Sequence, residues 1–313
     1  MTLACGVDVG GTKIAGGVVD DDGTVLEEMV VESPATDAEA METAIATLVA
    51  ELGSRHAIEA VGVGAAGYID KSRSVVLFAP NLAWRDLDLR AELEPRLGLP
   101  VVVENDANAA AWGEFSFGAG HDVDDLLLLT VGTGVGGGVV LDGELYRGAF
   151  GVGAEVGHMR VVPDGILCGC GNHGCLEVYG SGTALVREAR AAARGGSLPA
   201  RGLLDRAGGD ADQITGPLIS EAAAEGDQFA TEQLAELGRW LGEGIASLTA
   251  VLDPAVVVVG GGVSAAGDLL LDPIRRSFAS QLTGRGHRPM LEIRPAQLGN
   301  RAGLIGAADL ARH

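Results

Sequence analysis

Four short stretches carry residue types and spacings that could do chemistry. In VVENDANAAAWG, residues 102–113, an apolar run ends in Asn105-Asp106 and an Ala-rich helix begins at once. A carboxylate there lies at a helix N-terminus on the carboxyl end of a strand, where open α/β sheets place their ligands. The helix dipole is expected to keep Asp106 ionised and ready to accept a proton; the plainer alternative is an N-cap. In DVGGTK, residues 8–13, Gly10 and Gly11 would let backbone N–H groups approach a phosphate. Thr12 adds a hydroxyl donor, Lys13 a charge, and Asp8 could hold Mg²⁺ through water. The third stretch, GTGVGGG at 132–138, matches GxGxxG, but a dinucleotide fingerprint needs a helix to follow. VVLDGELY, a strand and a turn, follows instead. The segment therefore reads as a second phosphate-binding hairpin, with Thr133 as hydroxyl donor beside Gly134.

The fourth stretch is CGCGNHGC, residues 168–175, preceded by EVGH at 155–158. Cys168, Cys170 and Cys175 with one histidine form a set suited to tetrahedral zinc. His158 is the preferred fourth ligand and His173 its competitor. Four protein ligands close the site, so the zinc is expected to be structural. Disulfides are not expected in a cytoplasmic chain, and Cys5, in an apolar strand, reads as a buried small hydrophobe. Glu155 and Glu177 flank the cluster and are either surface charges or hydroxyl acceptors. A sugar needs several carboxylate and amide acceptors at fixed positions; Asn81, Asn105, Asp106, Glu155, His158 and Glu177 would supply them. Gly260–Gly262, after a Val run, allow either a nucleotide base against bare backbone or close strand–helix packing.

These residues need a scaffold, and the pattern supplies one. Residues 3–20 and 126–142 each read as an apolar run, a Gly/Thr turn and a second apolar run, followed by Asp-Gly, a hairpin signature. Such a repeat implies two related halves facing each other across a cleft. Helical spacing is expected over 36–52, 86–97, 183–194, 228–252 and 298–310, and strands over 61–67, 100–104 and 253–259, with Ser264 as N-cap of the next helix. Residues 145–175 form a long Gly-rich loop, which in a compact domain signals function. The alternation is α/β. Two domains are expected: 1–118 with 298–313, carrying the first phosphate loop and Asp106, and 119–297.

Composition limits the partners. The chain has 313 residues, a net charge of −21 and two lysines, Lys13 and Lys71. Nucleic-acid binding needs basic patches that this composition lacks. No apolar run is long enough for a membrane span, and the N-terminus lacks the regions of a signal peptide, so a cytoplasmic protein is expected. Dispersed acidic charge with almost no lysine fits work in concentrated salt, where repulsion is screened.

DVGGTK, PNLAW, ENDANAAAWGE, VGTGVGGG, EVGH, CGCGNHGC followed by LE, and VVVVGGGVS occur in an order that resembles the ROK (repressor, open reading frame, kinase) family, over essentially the whole chain. Within the family, the chain is similar to the ATP-dependent glucokinases. The resemblance implies the two-domain actin-like ATPase (sugar kinase) fold and phosphoryl transfer from Mg·ATP to the 6-hydroxyl of glucose. Asp106 would be the general base, and Asn105, Glu155, His158 and Glu177, with Gly67 and Asn81, the sugar set. Asp8, Gly10, Gly11, Thr12 and Lys13 would be one phosphate grip, Thr133 and Gly134 the other. Gly261 and Gly262 would lie at the adenosine, and His158, Cys168, Cys170 and Cys175 would hold the zinc. It also implies a dimer or tetramer. Other hexoses or N-acetylhexosamines, a polyphosphate donor, and a sugar-sensing regulator are the alternatives. The −21 charge and the absence of a DNA-binding segment before Cys5 weigh against the regulator.

Overall fold

The computed structural model describes residues 2–313. The chain opens with three strands, β1 (Leu3–Val9), β2 (Lys13–Val19) and β3 (Val25–Glu32), followed by helix α1 (Ala38–Gly53). Then come β4 (Ile58–Ala65), β5 (Tyr68–Ile69), β6 (Val75–Phe78), β7 (Arg85–Asp88), α2 (Leu89–Leu97), β8 (Val101–Asn105) and α3 (Asp106–Phe117). A second series holds β9 (Leu126–Val131), β10 (Val135–Leu141), β11 (Glu144–Leu145), α4 (Glu177–Gly180), α5 (Gly182–Arg194), α6 (Arg201–Arg206) and α7 (Gly216–Ala224). It closes with α8 (Gln228–Leu252), β12 (Val256–Gly260), α9 (Asp268–Gln281), β13 (Glu292–Pro295) and α10 (Ala302–Leu310).

The duplication read from the sequence reappears as topology. One sheet has the order β3-β2-β1-β4-β8 and the other β11-β10-β9-β12-β13, the same plan position for position. In the first, β1 and β2 pair antiparallel while β4 runs parallel to β1 and to β8; in the second, β12 and β13 are parallel. A repeated α/β sheet of this kind is the actin-like ATPase plan. Asp142 and Gly143 both take left-handed backbone, φ 51° and 76°, and so form the primed turn that the Asp-Gly pair foretold.

Two compact units emerge. The first comprises residues 1–128, 137–154 and 296–313; the second comprises 129–136 and 155–295. Two of the boundaries fall inside β9 and β10. Segments 119–128 and 137–154 thus go with the first unit, whereas the division read from the sequence set them in the second.

The first unit packs α1 on its sheet through Met41, Ile45, Leu48 and Leu52, all buried with Val7, Ile14, Val63 and Trp84. Each large side chain so buried contributes about 1.5–3 kcal/mol. Asp37 caps α1 by accepting the Ala40 N–H. Helix α10 covers the sheet's other face so closely that a Cβ on Gly62 would lie 1.7 Å from the Ala307 carbonyl oxygen. Only glycine permits that approach.

Several expected boundaries shift. The strand expected over 61–67 is β4, which ends before Gly67. The helix expected from residue 86 begins at Leu89, because β7 occupies the preceding residues. Asp253 is a left-handed cap of α8, φ 48°, and β12 starts only at Val256. Ser264 does not cap a helix: it lies in a 3₁₀ turn, and its hydroxyl donates to the Gly261 carbonyl, so Gly267 precedes α9.

Candidate active site and metal centre

In the first unit the site grows from the β8–α3 junction. Asn105, not Asp106, caps α3: its Oδ1 accepts the Asn108 N–H at 3.0 Å. Asp106 is the first helical residue, so its carboxylate is not engaged as the cap. The Asn105 amide donates to the Gly67 carbonyl at 3.1 Å. A Cβ on Gly67 would meet the Phe78 carbonyl at 2.6 Å, which fixes that residue as glycine. Gly11 lies in ordinary contact with Asn81, 3.6 Å from an added Cβ. Arg85 holds the Asn81 loop by donating to the carbonyls of Ala79, Leu82 and Trp84.

Asp8, at the end of β1, faces the same junction. Burial and the Asp106 carboxylate push its pKa up to about 6, while Lys13 pulls it down. Burial also raises the Asp106 pKa, against the backbone N–H groups of Asp106 and Ala107 that lower it. The sequence argument from the helix dipole pointed the other way. Desolvation wins because it can move a carboxyl by up to roughly 3–5 units, whereas the dipole is worth about 0.3–1 kcal/mol. Asp8, Gly11, Gly67, Asn81, Asn105 and Asp106 therefore form one constellation, with Gly10 and Thr12 in the turn beside Asp8 and exposed Lys13 opening β2.

The second unit builds around the second glycine turn. Gly132 and Thr133 offer their carbonyls to the Gly182 N–H and the Thr183 hydroxyl at the start of α5, at 2.8 and 2.6 Å. A cavity of about 1020 Å³ opens there, lined by Thr133, Thr183, Arg190, Pro217, Gly262 and Val263 among others. Gly261, φ 85°, is dictated by packing: a Cβ would lie 2.5 Å from the Val131 carbonyl. Gly262 has open space and lines the cavity. Of the two readings of the triple glycine, close packing explains Gly261, and bare backbone toward a ligand fits Gly262.

The metal set converges. The ligand atoms of His158, Cys168, Cys170 and Cys175 all lie within 4.8 Å of one another. Cys168 Sγ is 3.7 Å from His158 Nδ1, and Cys170 Sγ is 3.7 Å from Cys175 Sγ. A tetrahedron with zinc–sulfur arms of ~2.3 Å has edges of roughly 3.8 Å, so the donors fit the ion. His173 stands outside this set, with its Nδ1 on the Gly165 carbonyl.

Glu177, expected to grip hydroxyls, also joins the cluster to the glycine turn. Its Oε2 accepts the Val135 N–H at 3.1 Å, and its Oε1 lies 3.6 Å from Cys168 Sγ. Glu155 is exposed and precedes the 3₁₀ turn Val156–His158, its carbonyl accepting the His158 N–H.

Two buried carboxylates escaped the sequence reading. Glu104 is 1% exposed; its Oε1 accepts the Asn105 N–H and the Asn108 amide, and Arg147 Nε lies 2.7 Å from its Oε2. Glu114 is fully buried and accepts the backbone N–H groups of Ala119, Gln297 and Leu298. The available signal was a lone acid inside an otherwise apolar run, which implies a buried partner.

Residues 4–313 match the ROK family. The chain belongs to the ROK family. Among its ROK relatives, it is 52% identical to a glucokinase of Streptomyces coelicolor, covering 100% of this chain and 98% of that one. A Thermotoga maritima glucokinase is 35% identical, covering 98% and 96%. Among solved structures, it is similar to a ROK family glucokinase from Streptomyces griseus in complex with glucose and AMPPNP. That likeness has a TM-score of 0.90 at 55% identity and covers 99% of each chain. The ROK fold thus carries the two constellations described above, one in each unit.

Proposed function

We propose that this ROK protein is an ATP-dependent glucokinase that forms glucose 6-phosphate. The observation that carries the reading is the likeness, over 99% of each chain, to a glucokinase structure holding glucose and a nucleotide analogue. The β8–α3 junction supplies the matching chemistry. Asp106 accepts the proton of the sugar 6-hydroxyl as that oxygen attacks the γ-phosphorus, and ADP leaves. A carboxyl of raised pKa is the stronger base once ionised. Asn81, Asn105, Glu155, His158 and Glu177, with the Gly67 backbone, hold the sugar hydroxyls. Gly10, Gly11, Thr12 and Lys13 are one phosphate grip, Thr133 and Gly134 a second, and Gly261–Gly262 lie at the adenosine. Asp8 would hold Mg²⁺ through water, and the ion would supply charge neutralisation at the transferring group. Positioning and electrostatics carry most of such a reaction.

His158, Cys168, Cys170 and Cys175 would hold a structural zinc in this reading, and Glu177 joins that cluster to the second glycine turn. The enzyme works in the cytoplasm as a dimer or tetramer. Among the described residues, no helix is long and apolar enough to cross a membrane. The acidic, lysine-poor composition supports a protein adapted to concentrated salt.

The test is ADP release from Mg·ATP across hexoses and N-acetylhexosamines, in high and low potassium chloride. Turnover on glucose above all others is expected, with activity falling as salt is withdrawn. Preference for another sugar would correct the substrate, and full activity without salt would end the halophile reading.

A further inference from the structure

Away from both constellations, the first unit holds a separate cavity of about 430 Å³ lined by Lys71, Arg73, Glu144, Tyr146 and Arg147, among others. Cationic side chains are scarce in this chain, 22 against 43 acidic ones, and one of its two lysines is here. Arg147 is fully engaged. Its Nε meets Glu104, and its terminal nitrogens donate to the carbonyls of Lys71 and Asp70 at 3.0 and 2.9 Å. Arg73 touches Glu104 through Nε alone, at 3.4 Å. Its terminal nitrogens, the exposed Lys71 ammonium, the Glu144 carboxylate and the Tyr146 hydroxyl have no partner among the described residues. Arg73 sits in left-handed backbone, φ 57°, in the turn between β5 and β6.

We propose that this cavity is a second ligand site, for a small phosphorylated polyol. Arg73 and Lys71 would take the phosphate, since a guanidinium and an ammonium offer charge-assisted donors to its oxygens. Glu144 would accept from hydroxyls and Tyr146 would donate or accept; a carboxylate in the lining disfavours a bare polyanion. The volume lies within the usual range of about 300–1,000 Å³ for small-molecule pockets.

The site connects to the catalytic junction. Arg73 and Arg147 share Glu104, whose other oxygen accepts the Asn105 N–H at 2.9 Å and the Asn108 amide at 3.2 Å, on either side of Asp106. A phosphate that draws Arg73 away from Glu104 loosens that carboxylate and lowers turnover. The choice of ligand rests on the kinase reading, whose product is a phosphorylated sugar.

The experiment is equilibrium dialysis of labelled glucose 6-phosphate against wild type, Lys71→Ala and Tyr146→Phe, with inorganic phosphate as competitor, alongside steady-state rates. Two sites per chain are expected in wild type, with one of them weakened about tenfold or more in Lys71→Ala. The sugar phosphate should inhibit wild type even at saturating glucose and ATP. Lys71→Ala should keep its basal turnover and lose that inhibition. Absence from wild type of any site that Lys71→Ala weakens overturns the proposal. Equal occupancy by inorganic phosphate alone overturns the polyol assignment, and binding without inhibition overturns the link through Glu104. A chain that failed to phosphorylate glucose would lose the site that Lys71→Ala leaves unchanged and keep the one that it weakens, so the two readings fail separately.

Discussion

The two glycine turns look alike as letters and differ as physics. In the first, a Cβ on Gly10 or Gly11 would meet its nearest neighbour at 3.4 or 3.6 Å, ordinary contact. Those glycines are not demanded by the protein's own packing. In the second, a Cβ on Gly134 would lie 2.3 Å from Glu177 Oε2. That same oxygen accepts the Val135 N–H, and the other faces Cys168. The second turn is thus built into the Cys/His cluster, while the first stands open beside the carboxylates Asp8 and Asp106. A repeated motif preserved its topology while its glycines came to serve different ends.

The sharpest way to break this contrast is Asp106→Asn. If the chemistry sits beside the first turn, turnover should fall by about 10²–10⁴. Sugar affinity should stay within about tenfold, because the amide still hydrogen-bonds. Near-normal turnover by ADP release would remove Asp106 as the base. Next in size is Cys170→Ser, expected to lose bound zinc and, with it, the order of the second turn. Elemental analysis and glucose calorimetry read both, and an unchanged metal content would sink the zinc assignment. Gly134→Ala and Gly11→Ala then compare the turns directly. The first should cost roughly 1–3 kcal/mol as Glu177 is displaced, the second no more than about 0.5. Equal denaturation midpoints would erase the distinction.

The remaining test concerns pH. Asp8 is raised from 3.8 to about 6 on folding, so between those values the folded state binds more protons than the unfolded one. Stability therefore falls as pH rises through that window, and the full penalty persists above it. Asp8→Asn should flatten that decline in denaturant melts between pH 4 and 7. Parallel curves for variant and wild type would show that burial does not burden Asp8.

Much of the site was legible in the sequence because its residues are contiguous. ENDANAAAWGE placed Asp106 at a strand–helix junction, and the cysteine spacing gave three of the four clustered donors. Residues whose roles depend on distant partners were not legible. Glu104 sits in the same stretch, yet its meaning comes from Arg147 and Arg73, far away in the chain. The dipole argument pointed to a lowered Asp106 pKa and burial raises it, for a related reason: burial is a property of the packed unit, and it outweighs a local field.

By itself the sequence determined the duplicated hairpin, the α/β alternation, and which short stretches carry chemistry. These follow from local periodicity and turn preferences, which act over a few residues. Tertiary structure bore out the preference for His158 over His173 in the cysteine set, and it alone decided that Asn105 caps the helix and leaves the Asp106 carboxylate out of the cap and that Glu177 ties the cluster to the glycine turn. Each of those is settled by distances between segments that meet only when the chain packs.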